Sequence, residues 1–334
     1  MANSKIHRIA LMGAGRIGKV HGINIHQHPE TVVQYVVDPF TEAAESFAQI
    51  VGASVVEADE VFADEAVDAI VICSATPTHS DLIERGLHAG KAVFCEKPID
   101  LSIERVNQVL KNTRDCKAPL FVAFNRRFDP AAAGMRERIR AGDIGDVELV
   151  TVVSKDPEPP PIDYVKVSGG LFRDMTIHDF DMVRFMLGEE PTSVYAAAAT
   201  LTSTEIADEG DIDTACVTLQ CPSGKMAVIT NSRRATFGYD QRIEVLGSLG
   251  ALRTENVPNS TLILERAEGI RSENPMHFFI ERYRDAYRLE WQHFVDVLNN
   301  KCAPSVNGLD GQRALLLAEA AYESLQTGQR VTVT

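Results

Sequence analysis

The chain has 334 residues, of which 45% are hydrophobic, so it holds enough apolar material for a sizeable core and is long enough for two domains. Its formal net charge of -14 at pH 7 argues against a nucleic-acid or anionic-membrane surface, because either needs a basic patch, and small neutral substrates fit better. No apolar run approaches the length of a membrane span, and the amino terminus lacks the long apolar region of a signal peptide, so we expect a cytoplasmic protein.

The first predicted element is a β-strand from Ile6 to Met12, followed by a glycine-rich loop and a helix that runs to about Gln27. The loop follows the pattern G-x-G-x-x-G and consists of Gly13, Ala14, Gly15, Arg16, Ile17 and Gly18. In such a unit the first glycine allows a tight turn, the second lets the backbone approach a pyrophosphate, and the third lets helix and strand pack closely. The phosphates bind the N–H groups at the start of the helix. The loop therefore predicts a dinucleotide site, although an ordinary glycine turn can carry the same letters.

The second strand supports the dinucleotide interpretation and indicates which cofactor to expect. This strand, Val32 to Val37, ends at Asp38, which lies twenty residues after Gly18. A carboxylate at this place hydrogen-bonds the ribose hydroxyls of a dinucleotide, and it occupies the position that a 2′-phosphate would need. Pro39 and Phe40 supply no cation to receive such a phosphate. We therefore expect the cofactor to be NAD rather than NADP.

Strands and helices continue to alternate up to Phe124, which predicts an α/β fold with a doubly wound parallel sheet. The predicted helices cover residues 41–50, 59–64, 80–89 and 102–113, and the further strands cover 54–56, 67–73, 93–95 and 119–124. A small polar loop follows the strand that ends at Cys73. The loop residues that we expect to line the cofactor groove are Ser74, Thr76, Pro77 and His79. For His79, a solvated position in the first turn of the next helix is the alternative.

A lysine stands just past the next buried strand, at the edge of the sheet where open α/β folds bind their ligands. Phe94 and Cys95 end this strand, and Glu96, Lys97 and Pro98 follow. We predict that Glu96 and Lys97 border the cofactor and that Lys97 takes part in chemistry. The alternative is a surface lysine at a strand end, with a proline that stops the strand.

Beyond Asn125 the strands follow one another with turn signals between them, which is typical of a large, mostly antiparallel sheet in an α+β domain. The predicted strands cover residues 147–154, 193–202, 213–220, 225–233, 241–247, 250–253 and 261–265. The predicted helices cover residues 170–187, 280–298 and 310–326, and a last strand covers 331–334. The six cysteines form no C-x-x-C pair and no cluster with histidine at metal-ligand spacing, so we expect reduced thiols and no metal site.

The predicted helix after Gly169 and Gly170 carries a candidate acid-base pair. Asp174 and His178 are four residues apart, so they lie on one face of a helix, and a carboxylate one turn before a histidine can orient the imidazole to take a proton. Transfer of a hydride from an alcohol carbon to nicotinamide needs such a base, together with positive charge near the developing alkoxide. His178 and Lys97 fit these two roles, and Asp174 fits the orienting one. The alternative is an exposed pair on an acid-rich helix, in which Asp179 and Asp181 are also available.

Three motifs together resemble the glucose-fructose oxidoreductase and inositol dehydrogenase family in their usual order and spacing. The motifs are the loop from Gly13 to Gly18, the triplet Glu96-Lys97-Pro98, and the run Gly-Gly-x-x-x-Asp-x-x-x-His from Gly169 to His178. The resemblance covers the whole chain. It implies an N-terminal Rossmann domain over residues 1–124, a substrate and oligomerisation domain over 125–284, and C-terminal helices at about 285–334 that pack back on the Rossmann domain. It also implies that Lys97, Asp174 and His178 are catalytic and bind substrate, and a cis proline often follows the lysine in such enzymes.

Two further stretches are similar to those of myo-inositol dehydrogenases in this family. They run from Phe124 to Asp129 and from Gly238 to Arg242, and the resemblance implies that Arg126 and Tyr239 contact a polyhydroxylated ring. Asp156 is a further candidate for contact with substrate. For Arg126 and Asp156 the alternative is a surface charge, and for Tyr239 it is a core aromatic residue. Asn125 departs from the bulkier residue expected there, which leaves the identity of the polyol open.

The expected function is NAD-dependent oxidation of a ring hydroxyl of myo-inositol, or of a related cyclic polyol or sugar, to the ketone, as a step of carbohydrate metabolism. An NAD-dependent glycosidase of the same fold family and a dinucleotide-binding sensor without turnover are the alternatives. A sensor would lack the base, whereas Lys97, Asp174 and His178 are all present. We expect a homotetramer, because the family implies one and because an open sheet with helices on one side leaves an apolar face that needs covering. No nucleic-acid or membrane partner is expected.

Overall fold

The protein is described here by a computed structural model that covers residues 5–333. Residues 1–4 and Thr334, which include the end of the last predicted strand, lie outside the described part. The chain divides into two compact units, one made of residues 1–128 and 286–313 and the other of residues 129–285 and 314–334. The family resemblance implied that the helices at about 285–334 belong with the first domain, whereas residues 314–334 fall in the second unit. None of the helices within residues 5–333 combines the length and hydropathy that a membrane crossing requires.

The first unit contains a six-stranded sheet in which every pairing is parallel, with the strand order β3-β2-β1-β4-β5-β6. Its strands are β1 (His7–Met12), β2 (Thr31–Val37), β3 (Ser54–Val55), β4 (Ala69–Ile72), β5 (Ala92–Glu96) and β6 (Leu120–Ala123). Its α-helices are α1 (Arg16–Gln27), α2 (Thr41–Val51), α3 (Ala58–Ala63), α4 (His79–His88) and α5 (Ile103–Asn112), and short 3-10 helices cover Thr76–Thr78 and Asn125–Phe128. The predicted doubly wound parallel sheet is confirmed.

The central strands of this sheet are buried on both faces, as their continuous apolar sequences predicted. All four residues of β4 are buried, and the ring of Phe94 in β5 stacks on Phe121 with a centroid distance of 5.0 Å. Pairing aligns Met12 of β1 with Ile72 of β4, and Ile72 with Cys95 of β5. The carboxyl ends of these three neighbouring strands therefore lie level at one edge, and the loops that carry the candidate cofactor residues begin side by side.

The second unit contains a seven-stranded sheet with the strand order β12-β11-β7-β10-β9-β8-β15. Its strands are β7 (Val147–Lys155), β8 (Ser193–Ala199), β9 (Thr214–Gln220), β10 (Met226–Ser232), β11 (Asp240–Gly247), β12 (Gly250–Arg253) and β15 (Val331–Thr332), and a separate hairpin is formed by β13 (Ile263–Arg266) and β14 (Gly269–Ser272). The α-helices that follow the first unit's sheet along the chain are α6 (Pro130–Ala141), α7 (Ile162–Ser168), α8 (Gly170–Asp174), α9 (Thr176–Leu187), α10 (Thr204–Asp208), α11 (Phe279–Arg282), α12 (Arg284–Leu298) and α13 (Gly308–Thr327). Only the pairing of β7 with β10 is parallel, so the predicted, mostly antiparallel sheet is confirmed.

Side chains alternate between the two faces of this sheet. Val194, Val217 and Ile229 are fully buried on one face, and α9 packs against β7 and β10. On the other face, Tyr195 of β8 remains 43% exposed and Met226 of β10 remains 48% exposed. Within the described chain one face of the sheet is thus covered and the other is largely open.

The predicted helix from Gly170 to Leu187 is two helices in the structure, and this corrects the prediction. Helix α8 ends at Asp174 and α9 begins at Thr176. The hydroxyl of Thr176 contacts the carbonyl oxygen of Leu171 at 3.4 Å and the side-chain oxygen of Asn231 at 2.9 Å, and the N–H of His178 bonds the carbonyl of Met175, three residues back. A threonine that bonds back to the preceding turn competes with the regular helical ladder, so the turn tightens there.

Other boundaries also differ from the prediction. The predicted helix at 280–298 is divided into α11 and α12, and the predicted strand at 193–202 ends at Ala199. The strand ends early because the carboxylate of Asp213 accepts the N–H groups of residues 201–203 at 2.7–3.0 Å and turns the chain. Four elements, the 12-residue helix α6 and the shorter α7, α10 and β14, were not predicted.

Candidate functional site

The glycine-rich loop of the first unit has the geometry that its letters predicted. Gly13 has a φ of +108°, and a Cβ on it would lie 2.6 Å from the backbone of Cys73 and Ser74. A Cβ on Gly18 would lie 2.0 Å from the carbonyl oxygen of Gly13. Around Gly15, in contrast, a Cβ would meet nothing within 4 Å, and this residue is exposed at the start of α1. Gly13 and Gly18 are thus required by packing, whereas Gly15 leaves open space at a helix N-terminus, which suits a phosphate.

Asp38 holds this loop from the end of β2. One carboxylate oxygen accepts the N–H of Ala14 at 2.7 Å and the other accepts the N–H of Phe40 at 2.9 Å. The side chain is half-buried, so it can also meet a ligand. An acceptor at this edge fits ribose hydroxyls, which donate, and does not fit a phosphate. The residues present therefore fit a dinucleotide without a 2′-phosphate.

His79 is buried, which excludes the solvated alternative. The side chain exposes 2% of its surface, and its two ring nitrogens contact the carbonyl oxygens of Pro98 at 2.8 Å and Ser74 at 3.0 Å. The ring therefore ties the loop after β4 to the turn after β5. The hydroxyl of Ser74 also contacts that of Thr78 at 2.6 Å, and Thr76 and Pro77 lie in the 3-10 turn between them. These contacts fix the shape of the predicted cofactor loop, while contact with a cofactor stays a prediction.

Glu96 and Lys97 stand at the end of β5, as predicted. One carboxylate oxygen of Glu96 contacts the Nε2 atom of His21 at 2.7 Å, and the other accepts the N–H of Lys97 at 3.2 Å. Lys97 is half-buried and the Lys97–Pro98 peptide bond is cis. A half-buried lysine at the carboxyl edge of a parallel sheet differs from a simple surface lysine, because part of its hydration is already removed.

Arg126 is also buried, which excludes the surface-charge alternative for it. It exposes 7% of its surface in the 3-10 helix after β6, and its neighbour Asn125 exposes 4%. Large buried cations normally have charged or polar partners. Burial is compatible with a place inside a site, and the contact of Arg126 with substrate stays a prediction.

In the second unit, two glycines and a tyrosine position the start of α8. Gly169 and Gly170 have φ values of +83° and +82°, and a Cβ on Gly170 would lie 2.2 Å from the hydroxyl of Tyr322. That hydroxyl donates to the carbonyl oxygen of Gly169 at 3.1 Å. Both the backbone conformation and the close tyrosine require glycine here. The two glycines therefore allow the backbone to turn sharply into α8, the helix that ends at Asp174.

Asp174 is buried and bound by two donors, which excludes the exposed-pair alternative. The hydroxyl of Tyr164 donates to one carboxylate oxygen at 2.7 Å, and the guanidinium of Arg233 donates to the other at 2.8 Å. Arg233 also donates to Asp156 at 3.1 Å. Burial by itself lowers the pKa of Arg233, but the charges and hydrogen bonds of Asp174 and Asp156 outweigh burial, so its pKa is raised. Arg233 stays charged and holds the two carboxylates in place.

His178 is half-buried in the first turn of α9. The two aspartates of that helix have partners other than His178. Asp179 accepts the amide of Asn231 at 2.7 Å, and Asp181 lies 3.4 Å from the guanidinium of Arg184. Both aspartates are almost fully buried. The helix is therefore not the acid-rich surface of the alternative interpretation, and Asp179 and Asp181 serve its packing. The pairing of Asp174 with His178 stays a prediction.

Tyr239 and its neighbour are held inside the second unit. Tyr239 exposes 5% of its surface and lies edge-on to Tyr283 with a centroid distance of 6.1 Å. Asp240 is fully buried. Its carboxylate accepts hydrogen bonds from Arg242 at 2.7 Å, Asn256 at 2.7 Å and Lys155 at 3.2 Å. Burial alone raises the pKa of Asp240, but these donors outweigh it and the pKa is lowered. This packing supports the core interpretation of Tyr239, and its contact with substrate stays a prediction.

Arg233, Tyr164 and Asn231 were missed by sequence reasoning. Arg233 and Asn231 stand at the end of β10, about sixty residues after Asp174, so only the sheet brings them to it. Tyr164 lies in α7, ten residues before Asp174, where no periodicity marked a helix. The one available signal was an arginine at the end of a predicted strand whose interior was apolar.

Two family models match the chain. Residues 7–124 match the model described as oxidoreductase family, NAD-binding Rossmann fold, and residues 133–253 match the model described as GFO/IDH/MocA C-terminal domain. The two matches together cover more than half of the chain.

Individual relatives match over nearly the full length. The chain is 50% identical to inositol 2-dehydrogenase of Rhizobium meliloti over 327 residues, which is 98% of this chain and 99% of the relative. Among solved structures, it is similar to a myo-inositol dehydrogenase from Corynebacterium glutamicum, with 43% identity, a TM-score of 0.94 and coverage of 98% and 99% of the two chains. It is also similar to scyllo-inositol dehydrogenase from Lactobacillus casei with bound NAD(H) and scyllo-inositol, with 29% identity, a TM-score of 0.91 and coverage of 98% and 99%.

The two carboxylates bound by Arg233 generate a stability prediction. Arg233→Met leaves Asp174 and Asp156 without their shared cation, so we expect the free energy of unfolding to fall by about 3–5 kcal/mol. Arg233→Lys keeps the charge but cannot bond both carboxylates with one planar group, so a smaller loss is expected. Urea denaturation measures both.

The matched control is Arg234→Met, because Arg234 is adjacent and exposed. Its effect should stay within about 0.5 kcal/mol. Equal unfolding midpoints for the Arg233→Met and Arg234→Met proteins would contradict the structural role of Arg233.

Proposed function

The chain belongs to the GFO/IDH/MocA oxidoreductase family, and from this membership we propose that it oxidises one ring hydroxyl of myo-inositol, or of a closely related cyclic polyol, to the ketone with NAD as the acceptor. The observation that carries the proposal is the full-length match, at 50% identity, to an inositol 2-dehydrogenase. The described residues support it, because the chain has a dinucleotide loop, a half-buried lysine at the sheet edge and a buried carboxylate near a histidine in sequence.

The residues that would hold the cofactor are those of the glycine-rich loop and the strand ends. The N-terminus of α1 at Gly15 suits the pyrophosphate, and the carboxylate of Asp38 suits the ribose hydroxyls. We propose that Ser74, Thr76, Pro77, Glu96 and Lys97 border the rest of the groove. When bound, NAD supplies the acceptor for the hydride that leaves the ring carbon.

We propose that His178 is the base that takes the hydroxyl proton and that Lys97 supplies positive charge to the developing alkoxide oxygen. Asp174 is proposed to orient the imidazole and to stabilise its protonated form. Arg233 and Tyr164 support this role, because their hydrogen bonds at 2.8 Å and 2.7 Å favour the ionised carboxylate. The base must start unprotonated, so the rate should depend on the ionisation of the imidazole.

Arg126, Asp156 and Tyr239 are proposed to contribute to substrate binding. A ring with several hydroxyls needs both donors and acceptors, and a buried arginine and a half-buried aspartate offer both. For Asp156 the contact with Arg233 fixes the carboxylate before a ligand arrives. Which isomer is preferred depends on how these groups match axial and equatorial hydroxyls.

The direct test is a panel of cyclic polyols and aldoses, with NADH formation followed by its absorbance. Free NADH that accumulates with myo-inositol or a stereoisomer supports the proposal. An NAD-dependent glycosidase would release sugar without accumulation of NADH, and a sensor would bind the dinucleotide with no turnover on any compound. Either result would replace the proposed function.

The carboxylate of Asp38 generates a prediction about cofactor preference. We expect kcat/KM to be higher with NAD than with NADP, because a 2′-phosphate would meet a carboxylate and no cation. Asp38→Ser should narrow the ratio of the two kcat/KM values, mainly by lowering the value for NAD. Glu42→Ser is the control, because Glu42 is an exposed acid four residues after Asp38, at the start of α2. This substitution should leave the ratio of the two kcat/KM values unchanged. Equal efficiency of the unsubstituted enzyme with both cofactors would contradict the prediction.

The proposed base generates a second prediction. His178→Ala should lower kcat by roughly 10² to 10⁴, the usual contribution of a positioned base, with nearly unchanged NAD affinity. In the unsubstituted enzyme, kcat/KM should rise with pH as the base becomes neutral, because an ordinary histidine titrates near ~6.5. His88→Ala is the control, since His88 is exposed at the end of α4. If His178→Ala keeps near-normal turnover and an unaltered pH profile, His178 is not the base.

We propose that a second copy of the chain covers the open face of the seven-stranded sheet and that the assembly is a homotetramer. The register places Tyr195, Thr218 and Val228 in one row across β8, β9 and β10, on the face that is not covered by helices. On the same face, Met226 of β10 stays 48% exposed and Leu246 of β11 stays 41% exposed. Such a contiguous patch normally marks a contact with another protein surface. The tetrameric state and the cytoplasmic location both stay predictions.

The oligomer is tested by a charge at the middle of this row. Val228→Glu should lower the mass measured by light scattering at micromolar concentration, because an unpaired carboxylate in an apolar contact is costly to bury. Ile50→Glu is the control, since Ile50 is an exposed apolar residue of the first unit. A monomeric unsubstituted protein would overturn the proposal, as would a Val228→Glu protein with unchanged mass.

A further inference from the structure

The core of the first unit contains an acid that the proposed reaction does not use. Glu290 of α12 exposes 0% of its surface, and within the described chain neither of its carboxylate oxygens has a hydrogen-bond partner. A glutamate is almost never fully buried without a partner. Burial first, and the charge of Glu96 second, raise the pKa of Glu290 well above its usual range. This shift favours the neutral carboxylic acid, which has a proton to donate.

The helix face that carries Glu290 packs against His21. The ring of Tyr287, three residues earlier, meets the ring of His21 edge-on with a centroid distance of 5.5 Å. The ring of Trp291, one residue later, lies 5.9 Å from Phe94, and Phe94 lies 4.9 Å from His21. Glu290 lies between these two residues in α12, and the charge of Glu96, which contacts His21 at 2.7 Å, also acts on it, so the three groups lie in one buried neighbourhood.

His21 is itself fully buried, and within the described residues only one of its two ring nitrogens has a hydrogen-bond partner. Its Nε2 atom lies 2.7 Å from a carboxylate oxygen of Glu96, whereas its Nδ1 atom has no hydrogen-bond partner within residues 5–333. Glu96 only accepts, so Nε2 carries the proton of this bond, and Nδ1 of a neutral ring is then an acceptor. In the described part of the chain, His21 thus has an unfilled acceptor, and Glu290, in the same buried neighbourhood, has an unfilled donor when it is protonated.

We propose that Glu290 donates its proton in a hydrogen bond to Nδ1 of His21, directly or through a bridging water, and that Glu290, His21 and Glu96 form one chain that positions Lys97. The chain is consistent at each step. Glu290 donates to Nδ1, Nε2 donates to Glu96, and the second carboxylate oxygen of Glu96 accepts the N–H of Lys97 at 3.2 Å. No proton is transferred along the chain, so Glu290, His21 and Glu96 are positioning residues and not catalytic ones.

The other groups near this chain do not compete for its protons. The thiols of Cys73 and Cys95 are buried, and burial together with the charge of Glu96 raises the pKa of each, so both stay neutral. The indole N–H of Trp291, which also has no partner in the described residues, can only donate. It is therefore an alternative donor to Nδ1, and the experiment distinguishes Glu290 from it.

The part of the inference that concerns Lys97 rests on the proposed function, whereas the hydrogen-bonded chain does not. If the carboxylate of Glu96 is free to rotate, the backbone at Lys97 loses one of its fixed contacts. A shift of a catalytic group by about 1 Å can cost on the order of 10² in rate. Glu290 lies outside the glycine-rich loop and the acid-base residues, so its removal affects turnover only through this chain.

The experiment compares Glu290→Gln with Glu290→Leu. The glutamine amide can donate to Nδ1 as the neutral acid does, so we expect kcat within about threefold of the unsubstituted enzyme. The leucine has no donor, so we expect kcat to fall by about 10- to 100-fold. The melting temperature should change little, because leucine leaves Nδ1 without its donor but also removes a polar group that is costly to bury. Glu45→Leu, at an exposed position of α2, is the control.

Two spectroscopic measurements on the protein without substrate test the chain itself. Infrared spectroscopy should show a protonated carboxylic acid that is absent from both Glu290 variants. Nitrogen-15 NMR of labelled histidine should show His21, identified by its loss in His21→Gln, with the proton on Nε2, and its Nδ1 signal should shift in Glu290→Leu but little in Glu290→Gln.

The absence of the protonated acid, a proton on Nδ1 of His21, or an unshifted Nδ1 signal in Glu290→Leu would overturn the chain. Unchanged kcat in Glu290→Leu would overturn the positioning role. If both spectra are as expected and the unsubstituted protein oxidises no polyol, the proposed function fails while the chain stands.

Discussion

The parallel pairing of β1, β4 and β5 is the constraint on which the cofactor side of the molecule depends. Because Met12, Ile72 and Cys95 are aligned across these strands, the glycine-rich loop, the loop at Ser74 and the turn at Lys97 all begin at one edge of the sheet. Side-chain contacts then fix the loops to one another. Asp38 holds the first loop, and His79 joins the second to the third. A parallel sheet thus supplies the common edge, and buried polar groups supply the shape of what is built on it.

The second unit uses a different physical device, a buried cation between two carboxylates. Arg233 holds Asp174 and Asp156, and the opposite charges keep its pKa raised although burial alone would lower it. A buried ion pair adds less to stability than its short distances suggest, because desolvation opposes the attraction. Its main consequence is geometric, since Asp174 is presented in one orientation at the end of a short helix. The positive φ angles of Gly169 and Gly170 bring that helix in.

The two units together indicate how acids are kept in different states within one protein. Asp174 has a charged donor and a phenolic donor, whereas Glu290 has no donor in the described chain and lies near the charge of Glu96. Surroundings of the first kind favour the ionised carboxylate, and those of the second kind favour the neutral acid. The chemical type of a residue therefore sets what it can do, and its partners determine which of its forms is present.

The sequence by itself determined the parallel sheet, the dinucleotide loop with Asp38, the mostly antiparallel second sheet and the candidates Lys97, Asp174 and His178. These depend on local patterns, because strand and helix periodicity, glycine spacing and a motif of ten residues are all readable within a short window. Only the tertiary structure decided that Arg233 binds Asp174 and that His79 is buried against the carbonyl oxygen of Pro98. These contacts join residues 19 and 59 positions apart, and no local pattern records which distant strand or loop will supply the partner. The break at Met175 combines a local and a tertiary contact, since the hydroxyl of Thr176 contacts both Leu171 in the preceding turn and Asn231 of β10.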